Sequence, residues 1–345
     1  MSAIDDTILV WGAGAIGGTV GAYLARAGHK VHFVDRDRDH VEAMNAGGLR
    51  IVGPIEEFAV PAAASTPEAV SGRYGRILLC TKAQDTRAAS LQLAPFLAPD
   101  GYVASLQNGL NEVEIADVVG PQRTVGAFVN FGADYLSPGV VQFSGRGAVV
   151  VGETDGRITP RVRALHALLT EFEPNAIASD NVMGYLWGKL GYGALLFATA
   201  LTDASICEAL DARAPRPLYR RIAGEATAIA LALGITPLGF NGYDPAAFAP
   251  GAPDTAADAA FDAMVAHNAK SAKTHSGIWR DLAVRKRKTE ANAQLGPIVA
   301  FGRTVGIDAV ATAGVLAMIH EIETGVRPMD WANLAELSAR IGAHH

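Results

Sequence analysis

The order of apolar and polar positions divides the chain into two halves of different character. In the first, short strand-like apolar runs alternate with segments of helical spacing. The strand-like runs are Ile8–Trp11, Val31–Asp35, Arg76–Cys80, Tyr102–Ser105 and Arg123–Phe128. Helical patterns between them cover Gly17–Ala27, Arg38–Ala46, Thr86–Leu97 and Glu112–Val119. Strands alternating with helices predict a parallel, doubly wound sheet. Val140–Phe143 and Ala148–Val151, joined through Ser144–Gly147, predict a hairpin added to it. Beyond about Asp180 the alternation ends. Ala- and Leu-rich segments follow at Val182–Ala200, Arg220–Leu233, Ala256–Lys270, Glu290–Val305, Val310–Thr324 and Trp331–Ile341. The predicted fold class is α/β: a doubly wound parallel sheet over residues 1–179, then an all-helical C-terminal domain over 180–345 for substrate contacts and dimerisation.

The opening βαβ pattern carries a specific signal. Ile8–Trp11 leads into Gly12-Ala13-Gly14-Ala15-Ile16-Gly17, the following segment has helical spacing, and the second strand ends on Asp35. A G-x-G-x-x-G between strand and helix, with an acid about 20 residues on, is the Rossmann dinucleotide fingerprint. Residues Gly12 to Gly17 are expected to hold a pyrophosphate at the helix N-terminus. The plainer reading is a glycine-rich turn that only packs helix on sheet. A carboxylate at Asp35 accepts the ribose hydroxyls and repels a 2′-phosphate, which favours NAD(H). Arg36 and Arg38 keep NADP(H) possible, since a guanidinium is able to hold that phosphate.

Composition narrows the class. The chain has 345 residues, half of them hydrophobic, enough for two cores. Lys+Arg is 29 and Asp+Glu 35, a formal charge of −6, which is no footprint for nucleic acid. Cys80 and Cys207 have no metal or redox spacing and read as small buried hydrophobes. Asp5 and Asp6 precede the first apolar run, with no basic leader ahead of them, and no apolar stretch is long enough to span a bilayer. The expected setting is cytoplasmic, without a membrane partner and without a metal.

Several polar residues stand where chemistry is expected. Lys82 and Asn108 follow strand-like runs, and the carboxyl ends of such strands line the ligand crevice. Each also has a plain reading, as a solvated lysine and an Asn-Gly turn. Lys189 sits amid Met183, Tyr185, Trp187, Leu190 and Tyr192. Burial would lower its pKa toward working pH and suit it to protonate a carbonyl; a snorkelling lysine is the alternative. Thr289 suits a helix N-cap and Glu290 the first turn, so capping competes with a catalytic role for Glu290. Arg285–Lys288 is a basic run, either a solvated face or an attractor of anions. His275 is a candidate proton donor or a solvated histidine.

Taken together, these residues resemble the ketopantoate reductase (2-dehydropantoate 2-reductase) family. The likeness is carried by Gly12–Gly17, Thr81-Lys82-Ala83, Gln107-Asn108-Gly109, Ser137–Val141, Gly152-Glu153, Trp187–Leu190, Asp281 and Thr289-Glu290. It implies a Rossmann domain, a helical domain and an active site in the cleft between them. It also implies Lys189 as general acid, Glu290 as its partner at the substrate hydroxyl, and Asn108 and Lys82 at the nicotinamide and substrate end. The small-molecule partner is then a 2-oxo or 2-hydroxy acid, and a homodimer is expected. Three features depart from the family. Gly193 and Phe197 stand where it carries asparagines that hold the substrate. Gly277 replaces a serine, with Ser276 next to it. The Asp281-to-Glu290 spacing is one residue longer. Losing polar contacts signals a changed substrate more than a changed reaction. The alternatives are an NAD-dependent dehydrogenase of a bulkier, less polar hydroxy acid in a catabolic pathway, and a nucleotide sensor without catalysis.

Overall fold

The structure is a computed structural model that describes residues 5–270 and 274–342. The leader positions ahead of Asp5 lie outside them. The chain divides into two compact units, Met1–Val182 and Met183–His345.

The first unit is a ten-stranded sheet. Its strands are β1 (Asp5–Trp11), β2 (Val31–Val34), β3 (Leu49–Val52), β4 (Phe58–Val60), β5 (Ala63–Ser65), β6 (Tyr74–Leu79), β7 (Leu97–Ser105), β8 (Thr124–Ser137), β9 (Val140–Glu153) and β10 (Ile177–Ala178). They run in the order β4-β3-β9-β8-β7-β6-β1-β2-β5, with β10 beside β9. Around them lie α1 (Ala15–Arg26), α2 (Arg38–Gly47), α3 (Thr86–Leu93), α4 (Asn111–Val119) and α5 (Pro160–Thr170). Strand β1 shows why both faces are covered. Ile8 and Val10 pack with Val20, Tyr23 and Leu24 of α1, whereas Leu9 and Trp11 pack with Leu93 of α3 and Ile115 of α4. A parallel strand segment buried on both faces must be apolar, and Ile8–Trp11, the buried part of β1, is.

Two features depart from the sequence reading. The hairpin is not closed at Ser144–Gly147. Strands β8 and β9 are antiparallel over most of their length and turn at Pro138-Gly139. Gly145 and Gly147 lie inside β9, where the register slips against Asn130 and Gly132. A Cβ at residue 147 would collide with the Asn130 carbonyl oxygen. These glycines allow backbone approach at an irregular ladder rather than a turn. The short strands β3 to β5 carry too few residues for a periodic signal, and the sequence reading did not contain them.

The second unit is helical: α6 (Val182–Thr199), α7 (Ile206–Asp211), α8 (Arg216–Ala232), α9 (Asp254–Asn268), α10 (Gly277–Trp279), α11 (Ala291–Thr304), α12 (Val310–Glu323) and α13 (Trp331–Gly342). Trp187 of α6 meets Phe301 of α11 edge-on at 5.9 Å. Glu225 of α8 is buried and accepts the Ala311 and Thr312 N–H groups that open α12. Among the described residues no helix is long and apolar enough to cross a membrane.

Candidate active site

In the first unit the glycine loop joins β1 to α1. Gly12 has φ +98°, which disfavours any side chain, and a Cβ there would lie 2.7 Å from the Thr81 nitrogen. Gly17 is crowded too: its Cβ would stand 2.9 Å from Val10 Cγ1 and closer still to the Gly12 carbonyl oxygen. That is the close packing of helix on strand the third glycine permits. Gly14 differs from both, with no atom within 4 Å of its missing Cβ. Open space over the middle glycine, at the N-terminus of α1, fits a pyrophosphate approaching the backbone. Ala13, Ala15 and Ile16 complete the loop.

Asp35 closes the other side. Its carboxylate accepts the Ala13 N–H at 2.9 Å and the Asp37 N–H at 3.0 Å. The side chain is therefore fixed at the loop before any ribose arrives. Arg36 is largely exposed and lies 3.6 Å from Asp85, an ion pair of little strength in water. His40, which the sequence reading did not single out, is buried beside the same loop. It bonds the Ala13 carbonyl at 3.0 Å through Nε2 and accepts the Gly139 N–H at 2.9 Å on Nδ1.

The loops bearing Lys82 and Asn108 are tied together by Gln107. Its Nε2 donates to the Thr81 carbonyl at 2.9 Å and to Thr86 Oγ1 at 2.9 Å. Thr86 in turn donates to Asn111 Oδ1 at 3.0 Å, and Asn111 Nδ2 to the Asn108 carbonyl at 2.7 Å. This buried chain fixes both loops while leaving Lys82 exposed and Asn108 partly so. Beneath it, Glu112 is buried, and desolvation pushes its carboxyl up to about 7.

In the second unit Lys189 sits partly buried in the middle of α6. Desolvation pulls its ammonium down to about 8, against the opposing charge of Glu290. The two sequence candidates for proton chemistry thus act on each other. Glu290 stands at the N-cap of α11 rather than in its first turn. Thr289 does not cap alone: its hydroxyl donates to Glu323 Oε1 at 2.7 Å and accepts the Ala291 N–H at 3.2 Å. The segment leading from Asp281 toward Glu290 begins in a π-turn at Arg280–Val284. Asp281 accepts from Arg285 at 3.1 Å and Arg287 at 3.0 Å, so half of the basic run is paired locally.

The remaining substrate candidates separate. Gly193 lies one turn beyond Lys189, and the side chain facing it is Gln294, whose Oε1 is 3.3 Å from the missing Cβ. Sequence reading missed Gln294; its spacing of four from Glu290 was the available sign. The expectation that Phe197 lines a pocket is corrected, because the side chain has no exposed surface and packs the helical core. His275 stacks on Trp279 with ring centres 4.0 Å apart, and Ser276 caps the Trp279 N–H at 3.1 Å, so their contacts are local.

Residues 8–156 match the family model for ketopantoate reductase PanE/ApbA, and residues 181–323 match the model for its C-terminal part. A 2-dehydropantoate 2-reductase from Mesorhizobium japonicum is 30% identical over 68% of this chain and 79% of its own. One from Archaeoglobus fulgidus is 27% identical over 92% of this chain and 98% of its own. The crystal structure of a PanE/ApbA family ketopantoate reductase from Ralstonia eutropha, 30% identical, superposes with a TM-score of 0.77 over 92% of this chain and 99% of that one. A ternary structure of D-mandelate dehydrogenase, 20% identical, shares the fold with a TM-score of 0.79 over 92% of this chain and 98% of that one. With both halves matched in order, and with relatives aligned through most of its length, the chain belongs to the ketopantoate reductase PanE/ApbA family and is an NAD(P)-dependent oxidoreductase acting on a CH–OH group.

Proposed function

We propose that this protein reduces ketopantoate, a 2-oxo acid, to the 2-hydroxy acid, with Lys189 as proton donor. The observation that carries this reading is the Lys189–Glu290 pair. An ammonium brought down to about 8 by burial gives up a proton readily near neutral pH, and Glu290 keeps it from being lost altogether. The bound nicotinamide supplies the hydride. Lys189 Nζ–H donates to the carbonyl oxygen as that oxygen gains charge, and the same amine takes the proton back in oxidation. Glu290 holds the resulting hydroxyl. The loop Gly12–Gly17 binds the pyrophosphate, and Asp35 takes the adenosine ribose hydroxyls. Lys82 and Asn108, steadied by Gln107, serve the nicotinamide ribose and the substrate. Ser276 and His275 border the substrate.

Asp35 already spends one lone pair of each oxygen on backbone N–H groups, and carboxylate oxygens retain further acceptor capacity. Its charge at the ribose supports NADH over NADPH. The protein is further proposed to be a homodimer joined through its helical unit, and the domain limits to be 1–179 and 180–345.

The test is the initial rate with ketopantoate, using NADH and NADPH separately and following the loss of reduced-nicotinamide absorbance. Turnover that Lys189→Ala lowers by about 100-fold or more, with cofactor affinity retained, is the expected result. Tight cofactor binding without ketopantoate turnover, and oxidation of a bulkier 2-hydroxy acid with NAD instead, would replace the substrate and keep the chemistry.

A further inference from the structure

Helix α6 carries a glycine at 193, one turn beyond Lys189, in a setting of large apolar residues. Glycine weakens a helix relative to alanine, so its presence there asks for a local reason. The side chain opposite is that reason. Gln294 Oε1 stands 3.3 Å from the place a Cβ on residue 193 would occupy. Even an alanine would push against the amide.

Gln294 is placed by Glu290. Its N–H donates to the Glu290 carbonyl at 3.0 Å, so the two residues lie one helical turn apart and share a face of α11. Lys189 and Gly193 have the same spacing on α6. The charge of Glu290 bears on Lys189, and the Gln294 amide lies against Gly193. The reacting pair therefore has a second level beside it, one turn along, with an amide on one helix and a gap on the other. Both Gly193 and Gln294 are partly exposed. The Gln294 amide has no hydrogen-bond partner among the described residues. An accessible amide left unmatched by protein groups is available to a ligand.

The chemistry of an amide narrows what it reads. A donor and an acceptor at one uncharged tip match a hydroxyl, whereas a substrate carboxylate is better matched by a cation. One helical turn is about 5.4 Å, a span bridged by two carbon–carbon bonds, a C–O bond and a hydrogen bond. We propose that Gln294 determines substrate specificity: with Gly193 leaving it room, its amide hydrogen-bonds a hydroxyl two carbons from the carbonyl that Lys189 serves. This rests on the reading of the protein as a 2-oxo acid reductase and names the group that selects among such acids.

The experiment compares kcat/KM for ketopantoate and for trimethylpyruvate, which lacks only the terminal hydroxyl. The proteins are the native chain, Gln294→Leu and Gln294→Asn. The ketopantoate-to-trimethylpyruvate ratio is expected to fall about tenfold in Gln294→Leu and to recover in part in Gln294→Asn. A structural role alone lowers both rates together and leaves the ratio unchanged, which overturns the proposal. A native protein without preference for ketopantoate overturns it as well. Should Gln294→Leu fail to fold, Gly193→Ala tests the same contact from the other helix, and an unchanged ratio there counts against it equally. If the native protein reduces neither acid, the underlying reading fails and this contact with it. If it prefers ketopantoate and the variants keep that preference, the contact alone fails.

Discussion

Asp35 and His40 hold one residue by both of its backbone groups: Asp35 accepts the Ala13 N–H at 2.9 Å, and His40 bonds the Ala13 carbonyl at 3.0 Å. Because Gly139 N–H donates to Nδ1 of His40, the ring proton sits on Nε2 and points at Ala13. Tyr135 closes over the imidazole edge-on at 5.0 Å. The residue between the first two glycines of the phosphate loop is thus fixed before a cofactor binds, which spares the ligand the cost of ordering it. His40→Ala leaves a buried N–H and a buried carbonyl unmatched. It is expected to lower stability by about 2–4 kcal/mol and weaken dinucleotide binding about tenfold. Denaturant melts and a fluorescence titration with NADH measure both. Lower stability with unchanged affinity would mean that the clamp plays no part in binding.

Two glycines of that loop, Gly14 and Gly17, separate by experiment. Gly17→Ala drives a methyl into the Gly12 carbonyl and the Val10 side chain, so loss of the folded first unit is expected. Gly14→Ala meets nothing within 4 Å in the free protein. Its melting temperature should stay close to native while NADH affinity drops about tenfold or more, because the methyl stands where the pyrophosphate is proposed to approach. Equal damage to folding by the two substitutions would contradict the assignment.

If Asp35 takes the adenosine ribose as proposed, cofactor choice turns on it. Replacing it with serine removes the charge that repels a 2′-phosphate and leaves Arg36 and Arg38 nearby. It also loosens the loop, since the carboxylate holds two backbone N–H groups. The expected outcome for Asp35→Ser is weaker binding of both cofactors with a shift of at least about tenfold in kcat/KM ratio toward NADPH. A ratio that does not move would exclude Asp35 as the selector.

Lys189 as the proposed proton donor predicts both a rate profile and a stability effect. With the Lys189 ammonium near 8, reduction should decline as pH rises through that value, and oxidation should increase there. Glu290 raises the value, so in Glu290→Gln the inflection moves to lower pH. The folded chain holds the ammonium less tightly than the unfolded one, whose lysine titrates near 10.4. Below about 8 the buried charge therefore costs stability, and the cost fades as pH climbs toward the unfolded value. Lys189→Met should be more stable than native at neutral pH, by on the order of 1–3 kcal/mol, while nearly inactive. An inactive variant that is also less stable would show that the lysine is a structural group.

The residues readable in advance were those whose chemistry is local in sequence. Gly12–Gly17, Asp35 just past the second strand and the long α6, α8, α11 and α12 follow from periodicity and spacing, because turn, strand and helix each repeat along the chain. What the sequence hid depends on contacts across it. His40 and Gly139 are distant in sequence and meet only when β8 and β9 fold back beside α2. Gln294 acquires meaning only opposite Gly193. Gly145 and Gly147 looked like a turn because glycine is common to turns and bulges, and only the register of β9 against β8 distinguishes them. Phe197 shared the spacing of Lys189 and Gly193 but not their exposure, which helix packing decides.

Glu112 adds a dependence on pH that lies outside the reaction. It opens α4 beneath the Gln107 loop, where its carboxylate accepts from the Ala127 N–H and the Ser105 hydroxyl, but Oε2 has no partner. Burial raises the carboxyl from 4.5 to about 7, so the folded protein keeps a proton the unfolded chain has released. The stability this supplies is complete below about 4.5, declines between the two values, and is gone above about 7. Glutamine has the shape of the protonated acid and does not ionise. The melting temperature of Glu112→Gln should therefore match native near pH 5 and exceed it near pH 8, by an amount equivalent to about 1–3 kcal/mol. Ser105 has one hydroxyl proton, and Gln107 Oε1 at 3.3 Å competes with Glu112 for it, so ionisation of Glu112 draws that proton from the Asn108 loop. A constant difference between native and variant across this range would place the titration of Glu112 elsewhere.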